Sequence, residues 1–175
     1  MGTFIVAQIF GIVGIVANLI STQMKSKKHI ILMLFILNIS SAISLFLLNG
    51  STGSLISILT AILLLIELLF ESKNKSLPLF IVIIYALASI LLGVITYRSL
   101  IDIFPAIAAL LYCFITYSPK VSEIRQVTLA KNILWAVYDI VNHSYVFGFS
   151  DVIASISTVI AIFRFRKKKR KKARR

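Results

Sequence analysis

The sequence predicts an all-α, polytopic membrane protein with seven transmembrane helices. Three observations predict it. Hydrophobic residues fill 59% of the 175 positions, against about 45–50% in an ordinary soluble domain. The excess gathers in runs near the ~17–25 residues that a helix needs to cross a ~30 Å hydrocarbon core. No run alternates with period two, which disfavours a β-barrel. Mean hydropathy is correspondingly high, at +0.97.

The runs follow one another with little between them. The first covers 3–22 and stops at MKSKK. The second, 29–48, stops at NGSTG, and the third, 54–70, at ESKNKSL. The fourth opens on Pro78 and covers 78–96, ending at YRS. The fifth, 100–117, carries Asp102 and Pro105 near its start and ends at SPKVS. The sixth, 123–143, ends at NHSYVFG, and the seventh, 149–165, enters RKKKRKKARR. Short loops are expected, because backbone in lipid must satisfy its own hydrogen bonds within helices.

Charge orients the bundle. Lys25, Lys27 and Lys28 lie in the first loop, Lys73 and Lys75 in the third. Lys120 lies in the fifth, with Arg125 and Lys131 just inside the next helix. The second, fourth and sixth loops share one cation, Arg98. Lys and Arg accumulate on the cytoplasmic side. The N-terminus is therefore expected outside and the C-terminus in the cytoplasm, as in a bacterial inner-membrane protein. The start, MGTFIVAQ, lacks the basic region of a cleaved signal peptide, and Val6 stands where a myristoylation signal wants Ser or Thr. The single cysteine, Cys113, has no internal disulfide partner and reads as a small apolar side chain.

Ten of the 19 cations fall between Arg164 and Arg175, and without them the formal net charge drops from +13 to +3. No aromatic residue interleaves the run after Phe165, so nucleic acid is not the expected partner. Anionic lipid headgroups are, at ~1 kcal/mol per cation near the surface. The expected headgroup contacts are Arg166, Lys167, Lys168, Lys169, Arg170, Lys171 and Lys172. Like charges with nothing to bury predict a tail, 167–175, without fixed structure.

Residues 1–166 then form one membrane domain with an internal repeat. Asn38 and Asn132 stand 94 positions apart at similar depth in the second and sixth runs. Each of those runs ends in an Asn, Asn49 or Asn142, followed by Gly53 or Gly148 and a serine-containing helix. The division is three, one, three: a first repeat over 3–71, a linking helix over 78–96 and a second repeat over 100–165. Parallel repeats of this kind are a known transporter plan.

Several stretches carry a resemblance. QIFGIVG with TQMKSKK, then NILWAVYDI with Asp151, Ser155 and AIFRF, resemble the YgjV-type bacterial inner-membrane proteins over nearly the whole chain. The three-one-three plan is similar to that of SWEET sugar carriers, PQ-loop proteins and PnuC vitamin transporters. That likeness implies a pore between two triple-helix bundles for a small polar solute. The sequence departs from the pattern in having no Pro-Gln dipeptide and no proline in the first run; only Pro105 is available as a hinge in the fifth.

The candidate site lies in KNILWAVYDIVNHS, residues 131–144. At helical spacing Asn132, Trp135, Asp139 and Asn142 share one stripe. An ionised Asp at mid-bilayer costs roughly 3 kcal/mol on insertion scales, so it belongs toward the bundle interior or water. Asp139 lies about 6 Å from the outer end of its helix. It reads as a site residue, as a brace bonded to neighbouring helices or Arg98, or as a group solvated at the interface. Asn38 and Asn132 read as solute contacts or as interhelical hydrogen bonds of ~0.6 kcal/mol each. Trp135 reads as a stacking platform or as packing. Gly11 and Gly14 read as points of close helix approach, and of Gln8 and Asn18 only one is expected to face the pore.

No catalytic motif, metal-ligand spacing or phosphate loop occurs, so neither an enzyme nor a cofactor is expected. The leading expectation is a transporter or facilitator of an unknown small polar solute, with Asn38, Asn132 and Trp135 at mid-membrane and Asp139 and Asn142 in the outer vestibule. The alternative is a structural or regulatory membrane protein whose amides hold helices together. Homo-oligomerisation is left open.

Overall fold

The computed structural model describes the backbone of residues 2–23, 27–73, 75–117 and 121–172; the side chains of 21–23, 27, 115–117, 121–125, 157 and 161–172 are outside the described set. Its elements are α1 (Gly2–Gln23), α2 (Lys27–Leu47), α3 (Ser51–Ser72), α4 (Leu79–Ile95), a 3-10 turn (Leu100–Asp102), α5 (Ile103–Tyr117), α6 (Val121–Val141) and α7 (Tyr145–Lys172). Among the described residues there is no strand.

Three helices are long and apolar enough to cross a membrane: Gly2–Ile20, Lys28–Leu47 and Ser51–Ser72. Leu79–Ile95, Leu100–Phe114 and Tyr145–Ile160 are apolar but shorter. Large apolar side chains cover the outside, with Phe46, Leu100 and Phe149 each more than 70% exposed. A surface of that kind needs an apolar solvent.

The helices form a closed ring. Each packs on its successor, α7 returns to α1, and α3 also reaches α5 across the middle. The α4 helix buries only Val82, Tyr85, Ser89 and Gly93, one stripe at helical spacing. Its Gly93 lets α5 approach so closely that a Cβ there would sit 2.9 Å from that of Ala106. On the other flank, Gly11 and Gly14 of α1 lie against Val146 and Phe147 of α7. Close approach is thus their role.

The turns between α2 and α3 and between α6 and α7 share one backbone design at a spacing of 94. Asn49 has φ 64° and His143 has φ 61°. Gly50 N donates to Leu45 O and Ser144 N donates to Asp139 O, both at 2.8 Å. Asn49 N donates to Phe46 O and His143 N donates to Ile140 O, both at 3.2 Å. Leu48 N to Ser44 O and Asn142 N to Tyr138 O complete the pattern before each turn, and Ser54 N to Gly50 O and Gly148 N to Ser144 O complete it after. Such bonds satisfy the orphan carbonyls of a helix end with one residue in the left-handed region.

This register corrects several expectations. Asn49 corresponds to His143, not to Asn142, and Gly148 corresponds to Ser54, not to Gly53. One left-handed residue reverses the chain in three residues, so α3 starts at Ser51 and α7 at Tyr145, ahead of the expected 54 and 149. The α5 helix starts later than expected, because Asp102 Oδ2 accepts from Arg98 N and Ser99 N and holds a separate 3-10 turn. Pro105 falls in the first turn of α5, where the missing N–H has no intrahelical partner to lose; it is no mid-helix hinge. The tail was expected to be unstructured from 167, yet α7 runs to Lys172. Lys, Arg and Ala are good helix formers, and the span already supplies the nucleus that helix formation needs. The side chains of Arg166 to Lys172, and with them the headgroup contacts, lie outside the described residues.

Candidate functional site

A partly open cavity of about 130 Å³ lies inside the ring, large enough for about four waters at ~30 Å³ each. From α6 it is lined by Lys131, Asn132, Trp135 and Asp139. These positions recur every three or four residues, so one helical face supplies them all. Lys131 and Asp139 are eight residues apart, so the stripe runs ~12 Å along the helix. From α2 come Leu34, Leu37, Asn38 and Ser41, and from α3 Ile56, Ser57, Thr60 and Leu64. The α7 helix adds Phe147, Ser150 and Asp151, α5 adds Tyr112 with two alanines, α1 adds Asn18 and α4 adds Tyr85.

Four expected site residues therefore meet: Asn38, Asn132, Trp135 and Asp139 all border one space. Asn142 does not. Its Nδ2 donates to Tyr138 O on its own helix at 2.9 Å, and it lies one turn beyond Asp139, past the end of the cavity. Of Gln8 and Asn18 in α1, Asn18 lines the cavity. Gln8 instead clamps the α6–α7 turn, donating to His143 O at 3.0 Å and accepting from Val146 N at 3.2 Å.

Asn38 is not an interhelical tie through its amide nitrogen, because Nδ2 donates to Leu34 O one turn back at 2.8 Å. Asn132 is 8% exposed and Asp139 2%. Asp139 Oδ1 is buried and has no hydrogen-bond partner. The expected pairing with Arg98 is absent; the carboxylate beside Arg98 is that of Asp102. Trp135 is fixed edge-on against Tyr138, with centroids 6.0 Å apart, and one side of it reaches the cluster of Ile56, Leu63, Tyr85 and Ala109.

The walls are rigid and polar where helices meet. Thr60 Oγ1 and Tyr85 OH are 2.9 Å apart, joining α3 to α4. Ser41 and Ser57 hydroxyls, 3.3 Å apart, join α2 to α3. Toward the α2–α3 turn, Tyr138 OH accepts from Gly53 N at 2.8 Å. The Tyr138 ring lies where a Cβ on Gly53 would be, so only glycine admits it.

Three residues were missed as site members. Lys131 was counted with the cytoplasmic cations, yet it borders the cavity. Its Nζ lies 5.9 Å from the centroid of Tyr112, and Asp151 lines the same space. Asp151 and Tyr112 are the other two. The signal that finds them is the spacing of 94. Six pairs at that spacing line the cavity: Asn18 and Tyr112, Leu37 and Lys131, Asn38 and Asn132, Ser41 and Trp135, Ile56 and Ser150, Ser57 and Asp151. The pattern reaches beyond the turns to α1, α2, α3, α5, α6 and α7.

No curated protein and no solved structure matches this chain. A family model does match, over residues 5–169, and its description is a bacterial inner membrane protein. That span takes in α1 through most of α7 and every residue of the cavity wall. An apolar perimeter around packed helices fits such a description, and the chain belongs to the Imp-YgjV family of bacterial inner membrane proteins.

Proposed function

We propose that this inner-membrane protein carries a small polar solute through the central cavity, between two duplicated triplets, α1–α3 and α5–α7. One observation carries the reading: the two triplets contribute matched positions to a single polar hollow, Asn38 facing it from one and Asn132 from the other. A carrier that alternates its access needs two halves that move against each other around a fixed site. The contact pattern fits a two-fold exchange of the triplets, since α1 packs on α7 as α5 packs on α3. In this reading all seven helices span the bilayer, α4 links the halves, the N-terminus is outside and the C-terminus is cytoplasmic. The tail from Arg166 rests on anionic headgroups, and the protein is not an enzyme.

The rival reading, a scaffold braced by amides, is less well supported. A brace needs its polar groups bonded across helices, whereas Asn38 bonds its own helix and Asp139 Oδ1 bonds nothing. Purified protein in liposomes should admit small polar solutes faster than empty liposomes do. Equal leak across a panel of uncharged, cationic and anionic solutes would leave only the scaffold.

A further inference from the structure

The ionisable groups of the cavity are not shared between the triplets. Lys131, Asp139 and Asp151 all come from the second, and their partners at the spacing of 94 in the first are Leu37, Leu45 and Ser57. At these matched positions the charge lies on one side only. Two carboxyl groups face one ammonium. Lys131 Nζ lies 5.9 Å from the centroid of the Tyr112 ring, and Asp151 lines the same space. Asp139 is left with a buried oxygen, Oδ1, that has no hydrogen-bond partner among the described residues. A buried carboxylate without a counter-charge is strongly disfavoured, and either a bound proton or a bound cation relieves the cost.

We propose that the solute is a small organic cation bearing a protonated amine, and that Asp139 is its counter-ion. This rests on the carrier reading and names its substrate class. The amine would occupy the charge position that the protein leaves open, near Asp139. Asn132, one face along the same helix, and Asn38 opposite supply amide groups to hydroxyls or carbonyls of the same molecule. Trp135, Tyr85 and Tyr112 line the space, and an aromatic ring face attracts an organic cation. A volume of about 130 Å³ limits the occupant to a few heavy atoms. A divalent metal is a poorer fit, because among the described residues no three His, Cys, Asp or Glu side chains converge.

The test uses the purified full chain in detergent, with thermal unfolding as readout. Ethanolamine and ethylamine should raise Tm saturably, while ethylene glycol and ethanol, their uncharged counterparts, should not. Asp139→Asn should weaken the amine response at least tenfold in concentration. Lys131→Met, which removes the competing cation, should strengthen it. Opposite signs from two substitutions on one helix face are what a charge site gives and a packing role does not. The wild-type comparison needs no variant, so a misfolded Asp139→Asn protein leaves the test intact. Equal stabilisation by the uncharged counterparts, or by NaCl and KCl alone at matched ionic strength, overturns the assignment. Uptake into liposomes separates the two levels. Flux of uncharged solutes with no amine response keeps the carrier and removes the amine. An Asp139-dependent amine response without any flux keeps the site and removes the carrier.

Discussion

Asn49 and His143 occupy the same place in two copies of one turn, both with φ near +60° and both followed by a buried residue whose N–H closes on the fifth residue back. The first is Asn, which tolerates the left-handed region well; the second is His, which does so less commonly. The two turns lead into α3 and α7, which place Ser57 and Asp151 on the cavity wall.

If the two turns are equivalent, their substitutions should behave alike. Replacing either Asn49 or His143 with Val should destabilise by about 1–3 kcal/mol, the cost of holding a poor residue in the left-handed region. Replacing either with Gly should stay within about 1 kcal/mol of wild type. Thermal unfolding in detergent measures both, and a Val substitution tolerated at one position but not the other would break the equivalence.

Gly53 and Tyr138 join the halves directly. Gly53→Ala should cost about 1–3 kcal/mol, because the new methyl overlaps the Tyr138 ring in a packed interior. Tyr138→Phe keeps the ring and strands the Gly53 N–H, with a cost of about 1–3 kcal/mol for the unsatisfied donor. A Gly53→Ala protein as stable as wild type would show that the two groups part in solution.

The paired amides offer a functional readout. Asn38→Ala with Asn132→Ala should abolish solute flux in liposomes while Tm changes little. Asn38 donates only to its own helix through Nδ2, so its loss should cost under ~1 kcal/mol. Retained flux would remove both amides from the site.

Orientation is open to chemical labelling. In a Cys113→Ser background, a membrane-impermeant maleimide added to intact spheroplasts should modify Tyr97→Cys and leave Ser76→Cys untouched until the cells are opened. Tyr97 is 49% exposed after α4 and Ser76 is exposed before it. The reverse pattern would invert the bundle.

The sequence alone determined the helical class, the near positions of seven helices and the apolar setting, because lipid imposes those through local composition and length. It also placed Asn132, Trp135 and Asp139 on one face, since helical spacing is a local property. Register and depth were less legible. Asn49 was matched to Asn142 by residue type, and only the backbone bonds show that His143 is its counterpart. Lys131 reads as a cytoplasmic charge near a helix start, and Asp151 reads only as part of the family resemblance. Their meeting at one cavity depends on how α5, α6 and α7 pack, which no single stretch encodes. The tertiary structure likewise decided that Asp139 Oδ1 has no partner: whether a buried group is satisfied depends on every helix around it, and therefore on the assembled ring rather than on any segment of it.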